Sequence, residues 1–122
     1  MATTYYEAED VFTLKSAENS IELNVKTGDG QGGGYLIFKD TELIASNKKV
    51  TIKEVDELIN KWLTFVVVIK DKLEETNWTS VTVSIKEKGE NPVLFGPFKR
   101  EVQNHLDTVC YAVKIKVQDK KL

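Results

Sequence analysis

Little in this chain of 122 residues advertises chemistry, and what is scarce narrows the field first. Cysteine occurs once, at Cys110, so no disulfide can form within the chain. Histidine also occurs once, at His105, and Cys110 falls on the solvent-side parity of an expected strand. No zinc set can therefore be assembled from nitrogen and sulfur ligands. A hydrolytic triad would need His105 beside both a nucleophile and a carboxylate, and Asp107 is near it in sequence only. The formal charge of −2 lacks the basic excess of a nucleic-acid footprint. Apolar runs fall well short of the roughly 18 residues needed to span a membrane. The first residues, Met-Ala-Thr-Thr-Tyr-Tyr-Glu, show neither the basic nor the apolar region of a secretory signal. These absences lead us to expect a soluble, cytoplasmic protein, with residues 1–122 forming a single domain and with no nucleic-acid or membrane partner.

What is abundant is strand pattern. In Leu63 to Ile69, six of seven residues are apolar and five are β-branched, a composition that suits a pleated surface. Leu63, Phe65, Val67 and Ile69 share one face, while Thr64, Val66 and Val68 share the other. A strand apolar on both faces belongs in the middle of a sheet, with both faces covered. Val81, Val83 and Ile85 alternate with polar residues, as do Ile21, Leu23 and Val25, and so does the longer run from Val109 to Val117. The segment at Val81 is expected to pair with the central strand. The runs Tyr5–Leu14 and Ile21–Lys26, separated by a polar turn, suggest a hairpin.

Thr51 followed by Glu54 has the spacing of a capping box, with Val50 and Val55 as its staple. Val55, Leu58, Ile59 and Trp62 then recur at helical spacing, so a short helix of about ten residues is expected, with Trp62 in the core. Gly96-Pro97 interrupts the run Val93–Phe98, which marks an edge strand or a kinked one. Phe98, Val102 and Leu106 also fit one side of a short helix, and both readings of residues 98–106 stay open. The fold class that emerges is mainly β: an antiparallel β-sandwich, or a partly closed barrel, of seven to eight strands with one short helix.

The stretch Thr27–Gly34 holds five glycines in eight residues and satisfies the spacing GxGxxG from Gly28 to Gly33. A dinucleotide site requires that turn to open a helix, whereas Tyr35-Leu36-Ile37-Phe38 reads as a strand; an inter-strand loop is the better reading. Asp29 alone makes no calcium site, because calcium takes six or more oxygens. Trp78 lies in a polar connection and Tyr35 beside the glycine loop, so these aromatics are the ones expected to reach a partner.

The expected function is non-enzymatic. We read a protein-interaction or assembly module that engages a protein partner, or itself, through a sheet edge or the glycine-rich loop, with Tyr35, Trp78, Asp29 and Gln31 as the expected contacts. The alternative is a small polar ligand or carbohydrate stacking on Trp78 or Tyr35. An enzyme using scattered carboxylates and His105 ranks third. No catalytic, cofactor-binding or metal-binding residue is assigned, and no cofactor is expected.

Overall fold

In a computed structural model, residues 2–29, 32–72 and 76–120 are described. They form nine strands: β1 (Thr3–Leu14), β2 (Ile21–Gly28), β3 (Gly33–Lys39), β4 (Glu42–Ser46), β5 (Val50–Ile52), β6 (Trp62–Lys70), β7 (Trp78–Glu87), β8 (Val93–Glu101) and β9 (Thr108–Asp119). The strands make two sheets, one of order β1-β9-β6-β3-β4 and one of order β5-β2-β7-β8, and neither closes into a barrel among the described residues. No helix among the described residues is long and apolar enough to cross a membrane.

The alternations account for the core. Leu63, Phe65, Val67 and Ile69 of β6 are fully buried, and so are Val109, Tyr111, Val113, Ile115 and Val117 of β9. Ile21 and Leu23 of β2 and Val81, Val83 and Ile85 of β7 are fully buried too, and residues of both sheets join one apolar cluster. Burying side chains of this size removes about 1.5–3 kcal/mol worth of apolar surface from water for each one, the main force joining the sheets. A polar tie reinforces it: the Thr79 hydroxyl of β7 lies 2.6 Å from the Tyr111 hydroxyl of β9. Thr79 already gives its proton to the Arg100 carbonyl at 2.9 Å, so Tyr111 is the donor in that pair. Nearby, the Tyr6 ring packs against both Tyr111 and Phe98, at 5.3 and 6.0 Å between ring centres.

The central position of β6 holds: it pairs with β3 on one side and β9 on the other. Other expectations need correction. No hairpin joins β1 to β2, because the chain changes sheet between them. The device that turns it is Glu87 at the end of β7, whose buried carboxylate accepts the backbone N–H groups of Lys15 and Ser16 and the side-chain amide of Asn19. Nor does β7 pair with β6; it lies in the other sheet between β2 and β8. Pairing is antiparallel except between β1 and β9, which run parallel over the full length of β1. Asp107 fixes the start of that pair: its carboxylate accepts Ala2 N–H at 2.9 Å, while Thr108 N–H donates to the Ala2 carbonyl.

The expected helix shrinks to one 3-10 turn, Val55–Leu58. Thr51 makes no cap, since Val50–Ile52, with two β-branched neighbours around Thr51, pair with β2 as β5. The turn ends at Ile59, which is extended, and Asn60 has φ +66°, a left-handed conformation that Asn tolerates. Val55 and Leu58 do bury, as the periodicity suggests. Trp62 does not: it begins β6 on the face opposite Leu63.

β8 is an edge strand with a bulge, as Gly96-Pro97 implies. Val81 pairs with Phe98 and Val83 with Phe95, which leaves one extra residue on β8. Gly96 has φ +105°, and a Cβ there would lie 2.8 Å from the Val81 carbonyl oxygen, so no other residue fits this kink unstrained. The strand ends at Glu101, and residues 102–107 form an irregular connection rather than a helix.

Candidate functional site

The feature that stands out lies on the outer face of the five-stranded sheet. The expectation that both faces of β6 are covered fails. Its inner face is sealed, but Val68 on the outer face is 44% exposed, and Val66 is half-buried. Strand register arranges this outer face in rows. Tyr5, Cys110, Val68 and Gly34 form the first row, and Glu7, Ala112, Val66, Leu36 and Ser46 the second. The third is Glu9, Lys114, Thr64, Phe38 and Leu43, and the fourth holds Val11, Lys116 and Trp62. Charge is thus confined to the β1 and β9 side of these rows. Apart from Glu7 and the Tyr5 hydroxyl on β1 and Ser46 on β4, the first two rows lack charged or hydroxyl side chains. Phe38 and Leu43 extend the apolar character into the third, with Tyr5 73% and Leu43 53% exposed.

Two hollows indent this face. One, of about 220 Å³, is lined by Gly34, Tyr35, Leu36, Asn47, Val66 and Val68. Its rim is held by Asn47, which has φ +56°; its side-chain oxygen accepts Tyr35 N–H at 2.8 Å, and its own N–H donates to the Tyr35 carbonyl. The other, of about 400 Å³, is lined by Glu9, Asp40, Thr41, Trp62, Thr64 and Lys114. Here Asp40, at φ +51° in the turn between β3 and β4, grips the start of β6 twice. Its N–H donates to the Trp62 carbonyl at 2.7 Å, and its Oδ1 accepts Trp62 N–H at 3.0 Å. Lys61 Nζ stands 3.7 Å from Asp40 Oδ2.

The residues singled out from sequence are only partly brought together. Asp29, with φ +57°, follows β2 and forms an ion pair with Lys99 at 3.6 Å. Trp78 opens β7 opposite Glu101 and is 43% exposed. Register places both at one end of the four-stranded sheet, where Gly28 pairs with Ser80. Tyr35 belongs to the other sheet and is partly buried against the core; burial raises its hydroxyl above the ordinary value. Gln31 lies outside the described residues. β3 rather than a helix follows the glycine stretch, and a Cβ on Gly33 would overlap the Val68 carbonyl. The glycine there serves close strand approach.

His105 is exposed in the connection before β9, whereas Cys110 sits half-buried on the outer face, between Tyr5 and Val68. Among the described residues, no three His, Cys, Asp or Glu side chains come together as a metal-binding group. The face centred on Val66 and Val68 escaped the sequence reading because covered and uncovered apolar strands look alike in one dimension. The Trp62 hollow escaped because the helical spacing absorbed Trp62. Compared with protein-family models, with curated proteins and with solved structures, the chain matches none.

Proposed function

We propose that the two sheets face one another as a β-sandwich, that residues 1–122 act as one domain, and that this domain is a non-enzymatic interaction or assembly module. Its contact surface in this reading is the outer face of the five-stranded sheet. One observation carries the reading: Val66 and Val68, at the centre of the sheet, continue through Leu36 into Phe38 and Leu43 as one apolar surface that no described element covers. Large contiguous apolar patches on folded domains mark contact sites far more often than they occur idly. The sheet edges support it less. At β1 the Val11 N–H is already taken by Asp10 Oδ1 at 2.8 Å, and β8 is bulged, both features that discourage strand addition.

The first partner to test is a second copy of the chain. Light scattering over a concentration series should show association in the wild type, and Val68→Lys should remain monomeric with its circular dichroism unchanged. A wild type that stays monomeric at every concentration would remove the self-assembly form. Cross-linking that is the same in wild type and Val68→Lys would remove this face.

A further inference from the structure

The hollow around Trp62 has a composition different from the apolar surface beside it, and its contents describe a ligand. One wall is the indole of Trp62, half-buried and on the outer face. The rest is polar: the Thr41 and Thr64 hydroxyls, the Glu9 carboxylate, the Lys114 ammonium and Asp40. Glu9 and Lys114 are register partners on β1 and β9, so their opposite charges stand side by side. Asp40 is committed elsewhere, to Trp62 N–H and to Lys61. The cleft therefore carries almost no net charge while offering both donors and acceptors around an aromatic surface.

We infer that this hollow is a binding site for a neutral saccharide. A pyranose ring has an apolar C–H face that lies against an indole, and hydroxyl groups at its edge that both donate and accept. A phosphate or a carboxylate ligand would meet Glu9 beside Lys114 and gain little, and a cation would meet Lys114. The volume of about 400 Å³ falls in the range of small-molecule sites, and the hollow opens onto the sheet surface, so one or two rings of a longer chain can enter. The site is also pre-organised. The Trp62 backbone is held by the two Asp40 hydrogen bonds, and Thr64 and Lys114 project from paired strands, so the main chain of the site needs no rearrangement when ligand arrives.

The inference stands apart from the assembly reading, because the hollow occupies the third and fourth rows and Val68 the first. Trp78→Phe leaves Trp62 as the sole tryptophan and lies outside the hollow. That variant of the full chain is titrated with cellohexaose, xylohexaose, maltohexaose and mannohexaose, with oligogalacturonate and adenosine as counter-probes. Trp62 fluorescence and the NMR shift of its indole N–H are followed. At least one neutral oligosaccharide should give saturable changes in both. Affinity measured by isothermal titration calorimetry, which needs no tryptophan signal, should fall about tenfold or more in Trp62→Ala, the scale of losing an aromatic anchor. Glu9→Gln and Lys114→Gln, at exposed positions that do not threaten folding, should each weaken binding several-fold, and Val68→Lys should leave it intact. Three results would overturn the site as described: no response to any neutral probe, a response only to oligogalacturonate or adenosine, or neutral-sugar binding that neither Glu9→Gln nor Lys114→Gln changes.

Discussion

The outer faces of the two sheets are built from the same kind of strand and finished in opposite ways. On the four-stranded sheet, the outward positions of β2 are Glu22, Asn24 and Lys26, and those of β7 are Thr82, Ser84 and Lys86. On the five-stranded sheet, the corresponding positions of β6 are Thr64, Val66 and Val68, and those of β3 are Leu36 and Phe38. Threonine and valine have nearly the same shape and both suit a strand, so backbone preference does not explain the exchange. Hydration does. The first face is polar along its central strands β2 and β7, with Leu94 of the edge strand β8 its apolar exception at 64% exposed. The second keeps apolar area open on its central strands, a cost that a folded chain recovers when something covers it. The inner faces carry the fold; the difference between the outer faces is what the proposed contact surface rests on.

Removing the inner contribution gives the largest effect and sets the scale. Phe65→Ala should cost about 3–5 kcal/mol in urea unfolding, as for a large side chain deleted from a packed interior. Val68→Ala, one strand position from Val67 but on the outer face, should change the isolated domain by under about 1 kcal/mol. Comparable losses at the two positions would mean that the outer face is already covered, and the contrast between the faces would collapse.

A smaller effect sharpens how the four-stranded sheet handles polarity on its inner side. Glu87 is 3% exposed on the same parity as Ile85. Burial by itself would raise its carboxyl, but the N–H groups of Lys15 and Ser16, the Asn19 amide and the Lys15 charge outweigh it and leave the carboxyl below the ordinary 4.5. Its stabilisation is therefore fully present above the ordinary value and is lost as pH falls through the lower, folded value. Glu87→Gln should cost about 1.5–3 kcal/mol at neutral pH, the range for hydrogen bonds to a charged acceptor. Thermal melts from neutral to acid pH check both parts: the gap between the two proteins should close in acid. A constant gap would mean that Glu87 acts by shape alone.

Much of this architecture was legible in one dimension. Period-two patterns located the buried faces of β2, β7 and β9, because each of these strands has a dry side that a one-residue slip would expose, whereas β6, apolar on both sides, was legible only as a central strand. The edge position or kink at Gly96-Pro97 was legible because proline lacks an N–H, while the bulge itself and the choice between strand and helix over residues 98–106 were not. Sheet membership was not legible. Nothing local tells β1 that its neighbour is β9, about a hundred residues away, since that choice is made by Asp107 and by inward-facing side chains that meet only after folding. The capping box at Thr51 was a local preference overridden by pairing with Glu22. Of the candidate contacts, Tyr35 proved to border the smaller hollow, while Trp78 and Asp29 lie at the far end of the other sheet.

The smallest change in stability should separate the two outer faces most cleanly. Val68→Lys and Thr82→Lys each place a lysine on the outer face of a strand inside its sheet, at an exposed position for Val68 and a half-buried one for Thr82. Val68→Lys should shift unfolding by no more than about 0.5 kcal/mol, because the side chain can extend into water, and Thr82→Lys, directly across from Lys26, by no more than about 1 kcal/mol. Their effects on association should differ completely. A lysine at position 82 stands directly across from Lys26 and adds like-charge repulsion, but it displaces no apolar contact. A lysine at position 68 sets a charge in the centre of an apolar contact, where pairing would have to strip its water without offering a counter-charge. Light scattering on both variants and the wild type decides between the faces. Loss of association only in Val68→Lys assigns the contact to the five-stranded sheet, and loss only in Thr82→Lys would transfer it to the polar one. Equal loss in both would show that net charge, rather than either face, governs association.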